Sequence, residues 1–97
     1  MIRVLARMQV KPGCWNELTP LFREMVEESR KEKGCIEYSL FIDMNDETKC
    51  CMVEAWETQE DIDAHLKSEH HERIIPQFRE KFKDGPSEIV QYRPFEM

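Results

Sequence analysis

The sequence predicts an α+β fold of the ferredoxin-like type, β-α-β-β-α-β, on three observations: apolar residues alternate with period two in four segments, recur at helical spacing in two, and the six segments interleave in that order. Two right-handed split crossovers then give a four-stranded antiparallel sheet with both helices on one face. The other face is left bare. An uncovered apolar sheet face on so small a protein should pack against a second copy.

Residues 2 to 10 put Ile2, Val4, Ala6, Met8 and Val10 on one face and Arg3, Leu5, Arg7 and Gln9 on the other, a half-buried strand. Lys11-Pro12-Gly13 ends it. Leu18, Leu21, Phe22, Met25 and Val26 then recur at helical spacing after Trp15, so a helix runs from about 14 to 32, and Gly34 stops it. Cys35 to Met44 alternates again, placing Ile36, Tyr38, Leu40, Ile42 and Met44 together, and Asn45-Asp46-Glu47 turns the chain into a returning strand, Lys49 to Trp56. Thr58 is the expected N-cap of a short helix carrying Ile62 and Leu66, with a break at Ser68 or Glu69. A further segment carries the stripe Ile74, Phe78, Phe82, and Pro76 must begin or kink it. Asp84-Gly85-Pro86 closes the helical region, and Ile89 to Phe95 is the last strand, with Val90 and Tyr92 on one face and Ile89, Gln91 and Arg93 on the other.

At 97 residues the chain holds one core, a single domain spanning 1–97. A domain of this size buries roughly 60 to 65% of its unfolded surface, which makes dimerisation a natural way to bury more. Fourteen basic against twenty acidic residues give a formal charge of −6 with no basic patch interleaved with aromatics, which excludes nucleic acid as a partner. No apolar run approaches the roughly 18 residues of a membrane span, and the N-terminus reads as a strand rather than an export signal, so a cytoplasmic protein is expected. The four cysteines sit in helix-like and strand-like runs, and Cys50 and Cys51 point to opposite faces of a strand; free thiols are expected, and without a C-x-x-C pair no zinc ribbon.

The chemistry-bearing window is Glu54 to His70. Glu54 and Trp56 share a strand face with Cys50 and Met52, so a carboxylate is set beside an indole in a mostly apolar layer. Trp56 serves either core packing or one wall of a flat aromatic-ligand pocket. Glu54, if buried, requires a hydrogen-bonding partner. His65 lies four residues after Asp61 and four before Glu69, which fits a helix-surface pair or, alternatively, a general base facing a pocket. Tyr38 serves packing, or a phenol that orients a ligand. No metal site is expected: His65 and His70, five apart, diverge by about 140° on an ideal helix and share an ion only if the helix breaks between them. No phosphate loop, nucleophile elbow or dinucleotide fingerprint is present.

The run Glu54-x-Trp56, then Ala64-His65, Ser68 and His70, with Gly34-Cys35-x-x-Tyr38 and the element order, resembles the antibiotic biosynthesis monooxygenase family across nearly the whole chain. The resemblance implies a homodimer whose two sheets pack into a dimeric α+β barrel, each subunit holding a pocket between sheet and helices. It also implies a quinol monooxygenase that uses dioxygen and needs no flavin, haem or metal, so no cofactor is expected. Carried over residue by residue, Trp56 lines the pocket, His65 is the base, and Tyr38 or Glu54 orients the small aromatic substrate or the base. His70 joins the substrate-binding candidates, as do Arg7 and Arg93, either of which supplies positive charge to a phenolate if it points inward. Haem-degrading relatives use an asparagine on the first strand, where this chain has Ala6 and Arg7. An isomerase of a small phosphorylated or carboxylated metabolite and a non-catalytic module binding a small aromatic are the alternatives the same fold allows.

Overall fold

The computed structural model describes residues 1–83 and 88–96. Its elements are β1 (Ile2–Gln9), α1 (Trp15–Arg30), β2 (Cys35–Ile42), β3 (Lys49–Trp56), α2 (Gln59–Leu66), α3 (Glu69–Lys81) and β4 (Glu88–Tyr92). The expected α+β ferredoxin-like order is present, with the second helical segment divided in two. The strands form one antiparallel sheet in the order β2-β3-β1-β4.

Period-two alternation decides which side chains meet the helices. Val4 pairs with Glu54 and Gln91, Ala6 with Met52 and Ile89, and Met8 with Cys50, which puts all of these on the inner face. Leu18, Phe22 and Met25 of α1 and Ile74 and Phe78 of α3 pack against that face and share one core with Val4, Met52 and Trp56. Phe22 and Phe78 stack at 4.3 Å between ring centroids. The other face carries the row Ser39, Val53, Leu5 and Val90, and across Ala55 an Arg3–Glu37 ion pair of 2.5 Å.

The local signals act as their chemistry requires. Thr58 caps α2 by accepting from the Asp61 backbone N–H, and the Ser68 hydroxyl accepts from the His71 N–H at the start of α3. Gly34 closes the turn after α1 at φ +81, and a Cβ there would lie 2.0 Å from Asp61 Oδ2.

Several boundaries differ from the sequence reading. The first helix ends at Arg30 with Lys31 as its C-cap, short of Glu32. A β-bulge between Cys35 and Glu37 shifts the register of β2, so Cys35 packs with the core while Ile36 is exposed, and Ile42 and Met44 are exposed as well. Pro76 lies inside α3 rather than at its start. Pairing in the last strand ends at Tyr92, before Phe95. The expected stop at Asp84-Gly85-Pro86 lies outside the described residues. Among the described residues no helix is long and apolar enough to cross a membrane. All four cysteines are free, with Cys50 buried on the inner face and Cys51 opposite Arg7 on the other.

Candidate active site

Between the inner sheet face and the helices lies a cavity of about 730 Å³. Its deep part is apolar, lined by Val4, Met25, Met52, Ile62 and Phe78 among others. Into this apolar surround project Tyr38, Glu54, His65 and His71, and at one side lie Arg79 and Lys83.

The sheet register sets the first three groups together. Tyr38 on β2 is directly opposite Glu54 on β3, and α2 lays His65 over them, with ring centroids 5.3 Å from Tyr38 and 4.8 Å from Trp56. Trp56 donates its indole N–H to Glu54 Oε1 at 3.0 Å, which answers the demand of a buried carboxyl for a partner. Burial pushes the Glu54 carboxyl up to about 7, against the opposing effect of the indole donor and with a further push from the negative charge of Glu32. Tyr38 is held well above the usual phenol range by burial and by Glu54, so it remains a neutral hydroxyl.

His65 is held from behind. Its Nδ1 lies 2.6 Å from Glu32 Oε2, and His70 Nε2 lies 3.1 Å from the same oxygen. An ionised carboxylate only accepts, so Nδ1 carries the proton and Nε2 of a neutral His65 is the acceptor. Among the described residues no hydrogen bond occupies that Nε2. Burial lowers the His65 pKa more than Glu32 raises it, so the neutral ring is favoured. His71 is pushed down to about 4, first by burial and then by its two histidine neighbours.

Such an arrangement has the shape and apolar lining to hold a flat apolar molecule, with an imidazole nitrogen able to accept a proton and a carboxyl and a phenol as further hydrogen-bonding groups. The fold that carries it is shared with known proteins. Residues 1–77 match the family described as "Antibiotic biosynthesis monooxygenase". The chain belongs to the antibiotic biosynthesis monooxygenase family. A conserved protein from Methanosarcina mazei Go1 superposes with a TM-score of 0.90 at 36% identity, covering 95% of this chain and 90% of that one. A crystal structure of an antibiotic biosynthesis monooxygenase superposes with a TM-score of 0.93 at 29% identity, covering 99% and 100%. An uncharacterized protein of Synechocystis sp. is 30% identical over 95 residues, 95% of this chain, and the chain spans 62% of that relative's length.

For this family member the structure brings Glu54, Tyr38 and His65 to one cavity. Trp56 is close by but does not line the cavity; it is fully buried behind His65, where it positions Glu54. His70 faces Glu32 rather than the cavity. Arg7 is exposed on the far side of the sheet because it alternates with Ala6 and Met8, and Arg93 is exposed beyond the last paired residue of β4. Neither is brought to the cavity; its cations are Arg79 and Lys83.

Glu32, Ser29 and His71 are site residues the sequence reading missed. Ser29 had a signal: it continues the buried stripe of Phe22 and Met25 at helical spacing and lies 3.3 Å from His70 Nε2. His71 is one residue past a histidine pair already in view. Glu32 had none, since it sits in the turn between α1 and β2 among solvated charges.

Proposed function

We propose that the protein is a cofactor-independent monooxygenase that oxidises a small quinol or polyphenolic aromatic with dioxygen. The observation that carries this is the buried His65, fixed by Glu32 so that its Nε2 is the proton acceptor of a predominantly apolar cavity of about 730 Å³. Membership of the family supports the class of reaction.

His65 Nε2 takes the phenolic proton, and the electron-rich anion passes one electron to dioxygen. The resulting radical pair, confined in a dry cavity, forms the carbon–oxygen bond, and the peroxide takes the proton back from His65. Loss of the ring C–H proton then breaks the O–O bond and releases water, so one phenol and one dioxygen give one quinone and one water. Tyr38 and Glu54 orient the substrate hydroxyls, with Trp56 as the positioning residue for Glu54. The apolar walls favour escape of neither radical into water and strengthen each hydrogen bond inside.

A homodimer belongs to this proposal. The row Val53, Leu5 and Val90 is half-buried on a face that no described helix covers, and a second sheet is the partner that a twisted apolar sheet face fits.

Oxygen consumption by purified protein, freed of metal and flavin, with a panel of hydroquinones and naphthols tests the activity. Uptake above autoxidation is expected, and lost in His65→Ala with folding intact. No substrate-dependent uptake across the panel refutes the oxygenase and favours an isomerase or a binding module.

A further inference from the structure

Behind the cavity, three donor atoms from three parts of the chain converge on one point. Glu32 comes from the turn after α1, His65 from α2 and His70 from the first turn of α3; one ligand atom of each lies within 4.8 Å of the others, with Glu32 Oε2 2.6 Å from His65 Nδ1 and 3.1 Å from His70 Nε2. On one continuous helix His65 and His70 would diverge by about 140°. The break between the helices removes that divergence: α2 ends at Leu66 with Lys67 as its C-cap, and Ser68 caps α3 while its hydroxyl donates to the His65 carbonyl at 2.7 Å.

We infer that Glu32, His65 and His70 form a binding site for one divalent transition-metal ion of the zinc type. Two imidazole nitrogens and one carboxylate oxygen are a ligand set that zinc takes in a four-coordinate site, leaving one position open. Metal–ligand bonds of about 2.0 to 2.2 Å place tetrahedral ligand atoms about 3.3 to 3.6 Å apart. The Glu32–His70 separation of 3.1 Å lies just below that range, and the Glu32–His65 separation of 2.6 Å must widen by about 0.7 to 1 Å on binding. The site is sheltered, with side-chain exposures of 17% for Glu32, 3% for His65 and 12% for His70, so the donors are not held apart by water as surface carboxylates are. The Ser29 and Ser68 hydroxyls each lie 3.3 Å from His70 Nε2 and surround that donor with polar groups.

Occupation has a consequence that rests on the base role proposed above. A metal on Nδ1 takes the lone pair that the proton occupied, so the neutral ring must carry its proton on Nε2. His65 then donates into the cavity and no longer accepts. The ion is therefore an inhibitor of proton abstraction, and the metal-free pair His65–Glu32 is the competent form.

The test titrates Zn²⁺, and Co²⁺ as its spectroscopic substitute, into metal-free reduced protein by calorimetry and absorption. One ion per chain is expected, with a cobalt spectrum lacking thiolate charge-transfer bands, because four free cysteines are the competing ligands. Glu32→Gln and His70→Gln should each weaken binding roughly tenfold or more. Should either variant fail to fold, ¹⁵N-histidine spectra of the unmodified protein decide: one equivalent of Zn²⁺ must move His65 Nδ1 and His70 Nε2. Absence of stoichiometric binding, a thiolate spectrum, unmoved histidine resonances or unchanged affinity in folded variants each overturns the site. Zinc binding that leaves oxygen uptake intact overturns the base role of His65 and not the site; protein that binds zinc and never consumes oxygen leaves the site standing and removes the oxygenase.

Discussion

Replacing Glu54 with Gln should stabilise the protein, and only above about pH 4.5, where the carboxyl of the unfolded chain ionises. Folding moves this carboxyl from 4.5 to about 7, mainly through burial. At about 1.4 kcal/mol per pH unit that interval makes ionised Glu54 cost about 3 kcal/mol. The sign follows from proton uptake: between pH 4.5 and about 7 the folded state holds a proton that the unfolded chain has lost, so stability falls as pH rises through this window and levels off above it. Gln keeps a carbonyl oxygen for the Trp56 N–H and cannot ionise. The two proteins should therefore be nearly equal in stability near the acid end of the window and differ by about 3 kcal/mol on its alkaline side. Urea unfolding under reducing conditions across this range measures the difference directly, and titrations common to both proteins, such as those of His65 and His71, cancel. A difference that stays constant with pH would refute burial as the cause. The same variant should lose oxygen uptake, because the stable form is the one without a carboxyl to orient the substrate.

Gly34→Ala places a Cβ 2.0 Å from the Asp61 carboxylate on a backbone at φ +81, so a loss of about 2 kcal/mol or more is expected in urea unfolding. Phe78→Ala removes a ring stacked between Phe22 and Phe82 and should cost about 3 kcal/mol while enlarging the cavity, read as a lower urea midpoint. Val53→Lys puts a charge at the centre of the uncovered sheet face and should shift sedimentation from dimer to monomer; an unchanged dimer would move the interface elsewhere.

Hydrophobic periodicity was enough to recover the order of elements, the inner face of β1 and β3, and the split of the second helical segment at Ser68. Each of these depends on neighbours in sequence: alternation for the strands, a hydroxyl three residues from a backbone N–H for the cap at Thr58, and a break expected at Ser68 or Glu69, where the structure shows Ser68 capping α3. The bulge in β2 was not legible, because Cys35, Ile36 and Glu37 alternate no worse than their neighbours and only pairing with Trp56 and Ala55 reveals the extra residue. Tyr38, Glu54 and His65 became candidates through the family motif, since alternation bears only on the two strand residues and local sequence left His65 open between a surface pair and a base; all three line the cavity. Arg7 and Arg93 failed for want of a geometric argument: each was asked to supply charge, while alternation put Arg7 opposite the cavity-lining Ala6 and Met8. Glu32 belongs to the class of residue that sequence cannot place, an acidic group in a turn whose importance comes entirely from two histidines more than thirty residues away.

The missing Glu32 changes the electrostatics of the site more than any residue that was found. Without it, burial would lower the affinity of His65 for a proton and leave the tautomer free; with it, Nδ1–H is fixed and the acceptor is aimed away from Glu32. The same negative charge raises Glu54, to which burial already denies its own. One layer of the protein thus holds a neutral imidazole, a carboxyl poised near neutrality and a phenol kept protonated. In the reaction proposed above, a neutral phenol meets this neutral imidazole and hydroxyl, while Arg79 and Lys83 carry the cavity's formal positive charge. On that proposal the charge arises on the substrate itself after transfer to His65, and the imidazolium so created is stabilised by Glu32 set behind it.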